Sequence, residues 1–194
     1  MKFSNGIEIV EFNTLDTECI AVIGCLKTEK GMKILKELLT WVPTKFHTYI
    51  VYQEPPGKLF EYPAIKVAQD LSIIHNKSVL YIHTKGAAID RKESPFIRNK
   101  WKELFLDNYV WCIDNLEKEN TILCNFTGRN KITWYNGFFA NASAWKNAKI
   151  TKESDRYFYE QRIWNKPNFN VIGKDTNEAH NAIQMTALMK ELIK

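Results

Sequence analysis

The stretch Val79-Leu-Tyr-Ile-His-Thr-Lys-Gly86 joins a short apolar run to a polar tetrapeptide. Residues 79–82 are typical of a buried strand, because a strand that is covered on both faces carries apolar side chains at consecutive positions. His83, Thr84 and Lys85 follow this run directly, and Gly86 opens a segment of small residues. The pattern therefore predicts a buried strand that carries an imidazole and an ammonium group just beyond its carboxyl end.

Three similar apolar runs lie elsewhere in the chain, at residues 20–25, 48–52 and 121–124. Amphipathic stretches separate the four runs, at residues 31–42, 63–75 and 94–116. The last of these has Ser94 as its expected N-cap and Pro95 at its first helical position. Strands that helices of this length separate are most simply parallel. We therefore expect an α/β fold with three layers, a Rossmann-like architecture built on a mostly parallel sheet.

Length and composition favour one folded unit over residues 1–194, with further helices near residues 154–164 and 178–193. Hydrophobic residues make up 45% of the chain and charged residues 25%, which excludes a disordered or collagen-like protein. The formal net charge of +5 mildly favours anionic partners. No internal repeat is visible.

The four cysteines, at positions 19, 25, 112 and 124, form no C-x-x-C pair, and we expect them to be buried free thiols. The N-terminal residues lack the continuous apolar stretch of a signal peptide. The longest apolar runs are much shorter than the roughly 20 residues that a membrane-spanning helix needs. These features predict a cytoplasmic protein without a transmembrane segment.

Ligands of open parallel sheets bind beyond the carboxyl ends of the strands. This rule directs attention to His83, Thr84, Lys85 and Gly86, because the loop that carries them leads into the helix predicted from Ser94. A basic side chain, small residues and a helix N-terminus together suit an anion such as a diphosphate. The alternative is a solvated Lys85 and a histidine whose hydrogen bonds are satisfied within the fold.

Three further segments follow the Tyr-Ile-His-Thr-Lys-Gly string, namely Arg98-Asn-Lys-Trp101, Trp134-Tyr-Asn-Gly-Phe-Phe-Ala-Asn141 and Glu160-Gln-Arg-Ile-Trp164. In this order they resemble a family of small glycosyltransferase-like proteins from bacterial polysaccharide and rhamnan synthesis loci and from large DNA viruses. The aromatic run has Trp134 at the position where that family usually has histidine. The family is similar to the GT-A class, in which a Rossmann-like domain takes a nucleotide-diphosphate sugar and moves the sugar to an acceptor.

The resemblance implies a hexosyl- or deoxyhexosyltransferase that acts on a glycan or another hydroxyl acceptor. It implies a nucleotide-binding half at residues 1–126 and an acceptor-side half at residues 127–194. The residues expected to bind the donor are Lys27, Thr28, His83, Thr84, Lys85, Gly86, Arg129, Asn136 and Gly137. Two of these assignments have a structural alternative. Arg129 is also typical of a solvated loop, and dense aromatic residues are also typical of a core.

Two parts of the implied chemistry stay open in the sequence. Lys85 would serve as a built-in counter-ion for the leaving diphosphate, whereas Asp90 leaves room for a divalent metal such as Mn²⁺ or Mg²⁺. The acceptor hydroxyl needs a general base, for which Glu160 is the first candidate and Asp155 the second. Alternatively, Glu160 forms a salt bridge with Arg156 within its helix.

Two other functions deserve comparison with sugar transfer. A non-catalytic module that binds anions or nucleic acid would suit the basic composition, but the basic residues are dispersed and no nucleic-acid-binding motif is visible, so no nucleic-acid partner is expected. A dinucleotide-dependent oxidoreductase is disfavoured because no G-x-G-x-x-G follows the first apolar run.

Overall fold

The computed structural model describes residues 2–3, 6–55, 61–87, 93–128, 131–152, 158–164, 167–175 and 191. The strands in this part of the chain are β1 (Lys2–Phe3), β2 (Ile7–Asn13), β3 (Cys19–Leu26), β4 (His47–Gln53), β5 (Ser78–His83), β6 (Thr121–Gly128), β7 (Ile132–Thr133), β8 (Phe138–Ala140) and β9 (Asn170–Asp175). The helices are α1 (Glu29–Leu39), α2 (Tyr62–His75), α3 (Glu93–Lys102), α4 (Tyr109–Leu116), α5 (Ala142–Asn147) and α6 (Phe158–Gln161).

All the described strands belong to one mixed sheet, in the order β1-β2-β4-β3-β5-β8-β6-β7. Strand β9 lies outside this order and also pairs with β6. Strands β4, β3 and β5 are parallel, and so are β6 and β9. In contrast, β2 is antiparallel to β4, and β8 runs antiparallel between β5 and β6. The fold is α/β as expected, but the prediction of a mostly parallel sheet is wrong.

The physical reason lies in the short connection between β6 and β8. A parallel return needs a crossover of about a dozen residues or more, whereas only nine residues separate β6 from β8. Pairing changes register on the way, from Thr127 opposite Thr133 to Cys124 opposite Phe138. A strand of three residues such as β8 has too little periodicity to be recognised in sequence.

Helices cover both faces of the sheet. The first core packs α1, α3 and α4 against alternate strand residues, which include Leu80 and Ile82 of β5. The second core packs α2, α5 and α6 against the residues between them, which include Val79 and Tyr81. The apolar run at residues 79–82 therefore lies in a central strand that is buried on both faces, as its sequence predicts.

The predicted helices are recovered with shifted boundaries. Helix α2 occupies the predicted region, whereas α1 begins two residues earlier and ends three residues earlier than expected, and α6 covers Phe158–Gln161 of the helix predicted near residues 154–164. The long helix predicted from Ser94 is interrupted after α3 by a π turn at Glu103–Asp107, which ends at Asn108. The side-chain amide of Asn108, through Nδ2, donates to the Glu103 backbone carbonyl at 2.6 Å and stabilises the interruption of the helix. Residues 178–190 lie outside the described part of the chain.

All four cysteines are buried free thiols, which confirms the expectation from sequence. Burial raises the pKa of Cys19 and Cys25 to about 11 and that of Cys112 and Cys124 to about 12. No helix in the described ranges is long and apolar enough to cross a bilayer.

Candidate functional site

The order of the strands predicts a crevice at the carboxyl ends of β3 and β5. The chain leaves β3 through α1 and pairs β4 on one side, then returns through α2 and pairs β5 on the other side. A reversal of this kind leaves an opening beyond the two strands, which is where open α/β sheets bind their ligands. The predicted His83–Gly86 segment therefore begins at this crevice.

We call residues 83–86 the HTKG turn. Its second residue, Thr84, is buried and joins the ends of β5 and β3: the Thr84 amide donates to the Gly24 carbonyl at 2.9 Å, and its Oγ1 accepts from the Leu26 amide at 3.3 Å. The hydroxyl that sequence analysis assigned to a ligand thus has a partner within the fold. Thr84 fixes where the turn begins.

Gly86 allows the turn to approach helix α3. Its φ is +96°, a region that residues with a Cβ rarely adopt. An ideal Cβ at this position would also lie 2.9 Å from Cβ of Ser94, in the first turn of α3. Both constraints require glycine, and they place the HTKG turn against the start of α3, as predicted.

A second turn, residues 134–137, faces the first, and we call it the aromatic turn. Tyr135 and Asn136 both have positive φ, 69° and 51°, which is uncommon for residues other than glycine. The Tyr135 carbonyl lies 3.3 Å from Nε2 of His83, and the Lys85 ammonium lies 4.9 Å from the centroid of the Tyr135 ring. Two segments that are about fifty residues apart in sequence therefore meet at the crevice.

Trp101 of α3 packs directly on the aromatic turn. An ideal Cβ on Gly137 would lie only 2.0 Å from Nε1 of Trp101, so no larger residue fits at position 137 while the indole stays in place. The Trp101 ring also lies 5.5 Å from the His83 ring, centroid to centroid. Helix α3 thus contacts both turns, and its Trp101 side chain packs against His83 of the one and Gly137 of the other.

Asn136 contributes an acceptor that has no partner among the described residues. The residue is 1% exposed, and its buried Oδ1 accepts no hydrogen bond from any residue that the structure describes. A buried amide oxygen without a donor costs about 1–3 kcal/mol. An O–H or N–H group of a ligand would remove this cost, which supports the prediction that Asn136 binds a ligand.

Lys27 and Thr28, the other predicted donor-binding residues at this edge, have partners inside the fold. The Lys27 ammonium pairs with Glu8 at 2.9 Å and Glu54 at 3.1 Å, and these hydrogen bonds raise its pKa. Oγ1 of Thr28 accepts from the Gly31 amide at 3.0 Å and caps helix α1. Their described contacts are structural, with β2 and with α1 respectively.

The remaining candidates have little or no described structure. Asp90, Arg129 and Asp155 lie outside the described residues, and so does the side chain of Glu160, whose backbone belongs to α6. Among the side chains that are described, no three from His, Cys, Asp or Glu come together in a way that would hold a metal ion. The assignments of the general base and of a metal ligand stay predictions.

Sequence reasoning did not include Arg98, Trp101 or Tyr135 among the site residues, although all three belong to quoted motifs. The signal for Arg98 was an arginine one helical turn before Trp101, on a stripe that is otherwise apolar. Tyr135 gave no such signal, because its role depends on the positive φ of the aromatic turn.

A small hollow lies between α1 and α3, where Arg98 and Trp101 meet apolar residues such as Leu38 and Phe105. Its free space is about that of one water molecule, so it is a packing gap and not a ligand site.

The described residues of the crevice supply an ammonium group, an imidazole, a buried amide oxygen and a turn that approaches a helix start. This set suits a ligand that combines anionic oxygens with hydroxyl groups. No protein-family model, curated protein or solved structure matches this chain significantly, so its function is inferred from the crevice.

Proposed function

We propose that this chain is a glycosyltransferase that binds a nucleotide-diphosphate sugar beyond the carboxyl ends of β3 and β5, where the HTKG turn and the aromatic turn meet. The observation that carries the proposal is the meeting of Lys85 and His83 with Tyr135 beyond the carboxyl ends of β3 and β5. Nucleotide ligands favour that position in α/β sheets, and the HTKG turn supplies the positive charge that a diphosphate requires.

Lys85 would stabilise the leaving group. When the bond between sugar and phosphate breaks, negative charge develops on the nucleoside diphosphate, and a cation that is already in place lowers the barrier. Gly86 brings this part of the turn against the first residues of α3, where backbone N–H groups and the helix dipole also favour an anion. A divalent metal held by Asp90 would supply further positive charge.

Asn136 would recognise the sugar. Its buried Oδ1 needs a donor, and the hydroxyl groups of a hexose or deoxyhexose are suitable donors. Gly137 and Trp101 hold the aromatic turn in a fixed place, so the acceptor atom would not have to be reorganised on binding.

The acceptor hydroxyl would lose its proton to a carboxylate, for which we propose Glu160 first and Asp155 second. The nucleotide would then bind to the half at residues 1–126, and the acceptor to the half at residues 127–194, which also supplies Asn136 to the sugar. Four reduced, buried thiols would suit a cytoplasmic location.

The first experiment is a thermal-shift screen with UDP, GDP, ADP and dTDP and their sugars, with and without Mn²⁺. A ligand that binds only the folded chain raises its melting temperature, and we expect this for at least one nucleoside diphosphate. No shift with any of them would contradict the proposal.

The second experiment separates transfer from binding. Glu160→Gln is expected to bind the nucleoside diphosphate as the unaltered chain does, but to release none from the sugar donor when a glycan acceptor is present, because the amide cannot take the proton. Asp155→Asn is the parallel variant for the second candidate. An unaltered chain that binds diphosphates but releases none from any sugar donor would be a non-catalytic anion-binding module.

A further inference from the structure

We infer that Glu37, on helix α1, is a positioning residue for the HTKG turn and acts on it through Arg98. The inference rests on the proposed function for its consequence, which is correct placement of Lys85 for a diphosphate. Glu37 belongs to none of the motifs quoted above, and its carboxylate contacts Arg98 rather than the HTKG turn.

Three hydrogen bonds connect Glu37, Arg98 and the HTKG turn. Nε of Arg98 donates to Oε1 of Glu37 at 3.3 Å, and Nη2 donates to Oε2 at 3.0 Å. The remaining guanidinium nitrogen, Nη1, donates to the Lys85 carbonyl at 2.8 Å. A planar guanidinium that makes a bidentate contact is fixed in orientation, so the direction of the third bond is fixed as well.

The Lys85 carbonyl is an effective place to hold this turn. It belongs to the peptide between Lys85 and Gly86, and glycine leaves that peptide more free to rotate than any other residue would. The Arg98 side chain is only 8% exposed, so losing its carboxylate partner would leave a largely buried charge unpaired. Glu37 is therefore needed to keep the guanidinium aimed at the turn.

Helix α3 couples this contact to the other side of the crevice. Arg98 and Trp101 are three residues apart and lie on the same face of the helix. Arg98 holds the HTKG turn, and Trp101 packs on Gly137 of the aromatic turn. Helix α3 therefore contacts both the Lys85 backbone and the aromatic turn, and the ion pair with Glu37 joins this face of α3 to α1.

The first test does not depend on a ligand. Native-state hydrogen exchange by NMR would compare the unaltered chain with Glu37→Gln and Arg98→Lys, followed at the Ala87 amide, which donates to the Thr84 carbonyl at 3.0 Å. We expect exchange to become at least about tenfold faster in both variants, because one charged hydrogen bond contributes that much. The amide of Ile82, inside the core strand β5, reports global unfolding, and the acceleration at Ala87 should exceed the acceleration at Ile82.

Glu103→Gln is the matched control, because Glu103 is bound by Lys100 of α3 and has no described contact with the HTKG turn. It should leave the Ala87 exchange rate unchanged. An unchanged rate in Glu37→Gln and Arg98→Lys as well would overturn the inference.

The second test measures whether the ion pair between Glu37 and Arg98 affects diphosphate binding. Isothermal titration with UDP, GDP, ADP and dTDP and with the four matching monophosphates gives the ratio of diphosphate to monophosphate affinity, which a general loss of stability would not alter. We expect this ratio to fall at least about fivefold in Glu37→Gln and Arg98→Lys but not in Glu103→Gln. An unchanged ratio, with diphosphates bound, would show that the ion pair does not serve the site.

A charge exchange separates positioning from pairing. Glu37→Arg combined with Arg98→Glu restores an ion pair, but a carboxylate at position 98 cannot donate to the Lys85 carbonyl. The affinity ratio should stay low in this double variant, and its recovery would contradict the inference. If the unaltered chain binds none of UDP, GDP, ADP and dTDP, the proposed function fails, and hydrogen exchange at Ala87 alone decides the role of Glu37.

Discussion

The HTKG turn and the aromatic turn face each other across one crevice, but the fold holds them by different means. Hydrogen bonds from Thr84 and Arg98 hold the HTKG turn, whose other side chains are half-buried. Packing holds the aromatic turn, in which all four residues are buried beneath Trp101 and its neighbours. The difference indicates a division of tasks: the packed turn is a rigid wall, and the hydrogen-bonded turn presents the charged groups.

The strongest test of this contrast is Gly137→Ala. The added methyl group would overlap the Trp101 indole, which is 2% exposed in a packed core beside a hollow of only about one water molecule. We expect the free energy of unfolding, measured in urea, to fall by about 3 kcal/mol or more. A loss below about 1 kcal/mol would mean that the aromatic turn is not held by packing.

Gly86→Ala should have a smaller effect on stability. The substitution places a Cβ at a φ of +96° and close to Ser94, but the turn is half-buried and can shift. We expect a loss of about 1–3 kcal/mol in the same urea experiment. Equal losses at Gly86 and Gly137 would remove the distinction between the two turns.

Lys85→Met should cost the least stability of the three. Methionine keeps an unbranched apolar chain beside Tyr135 and removes the charge, whose described interaction with the ring contributes about 0.5–1 kcal/mol. We therefore expect a change within about 1 kcal/mol, measured with Lys85→Arg as the control that keeps the charge. A larger loss would assign Lys85 to the scaffold instead of the site.

Two buried thiols extend the comparison to high pH. Burial raises the pKa of Cys25, next to the HTKG turn, to about 11, although a hydrogen bond with Thr84 lowers it somewhat. Burial alone raises the pKa of Cys124, beside β8, to about 12. In a pulse of iodoacetamide at alkaline pH, read by mass spectrometry of peptides, Cys25 should react before Cys124. The reverse order would contradict the difference in packing.

The same shifts fix the sign of the pH dependence of stability. Because the thiol pKa is higher in the folded chain, the unfolded chain loses these protons first as the pH rises. The free energy of unfolding should therefore decrease above the ordinary thiol pKa of about 9, and replacement of Cys25 and Cys124 by alanine should make this decrease shallower.

The sequence was informative wherever one local pattern determined the outcome. Consecutive apolar residues predicted β5, and the HTKG string follows that strand at its carboxyl end, as expected. The antiparallel strand β8 was missed, because three residues carry no period and its place depends on pairing with β5 and β6. Tyr135 and Glu37 were missed for a similar reason, since their roles depend on contacts across 50 or more residues.

The central claim is that Lys85 lies at a diphosphate site. Isothermal titration of the unaltered chain and of Lys85→Ala with UDP, GDP, ADP and dTDP, with and without Mn²⁺, tests it most directly. We expect that at least one of these diphosphates binds the unaltered chain and that Lys85→Ala lowers its affinity about tenfold or more. Binding of none of the four, or equal binding by both chains, would contradict it.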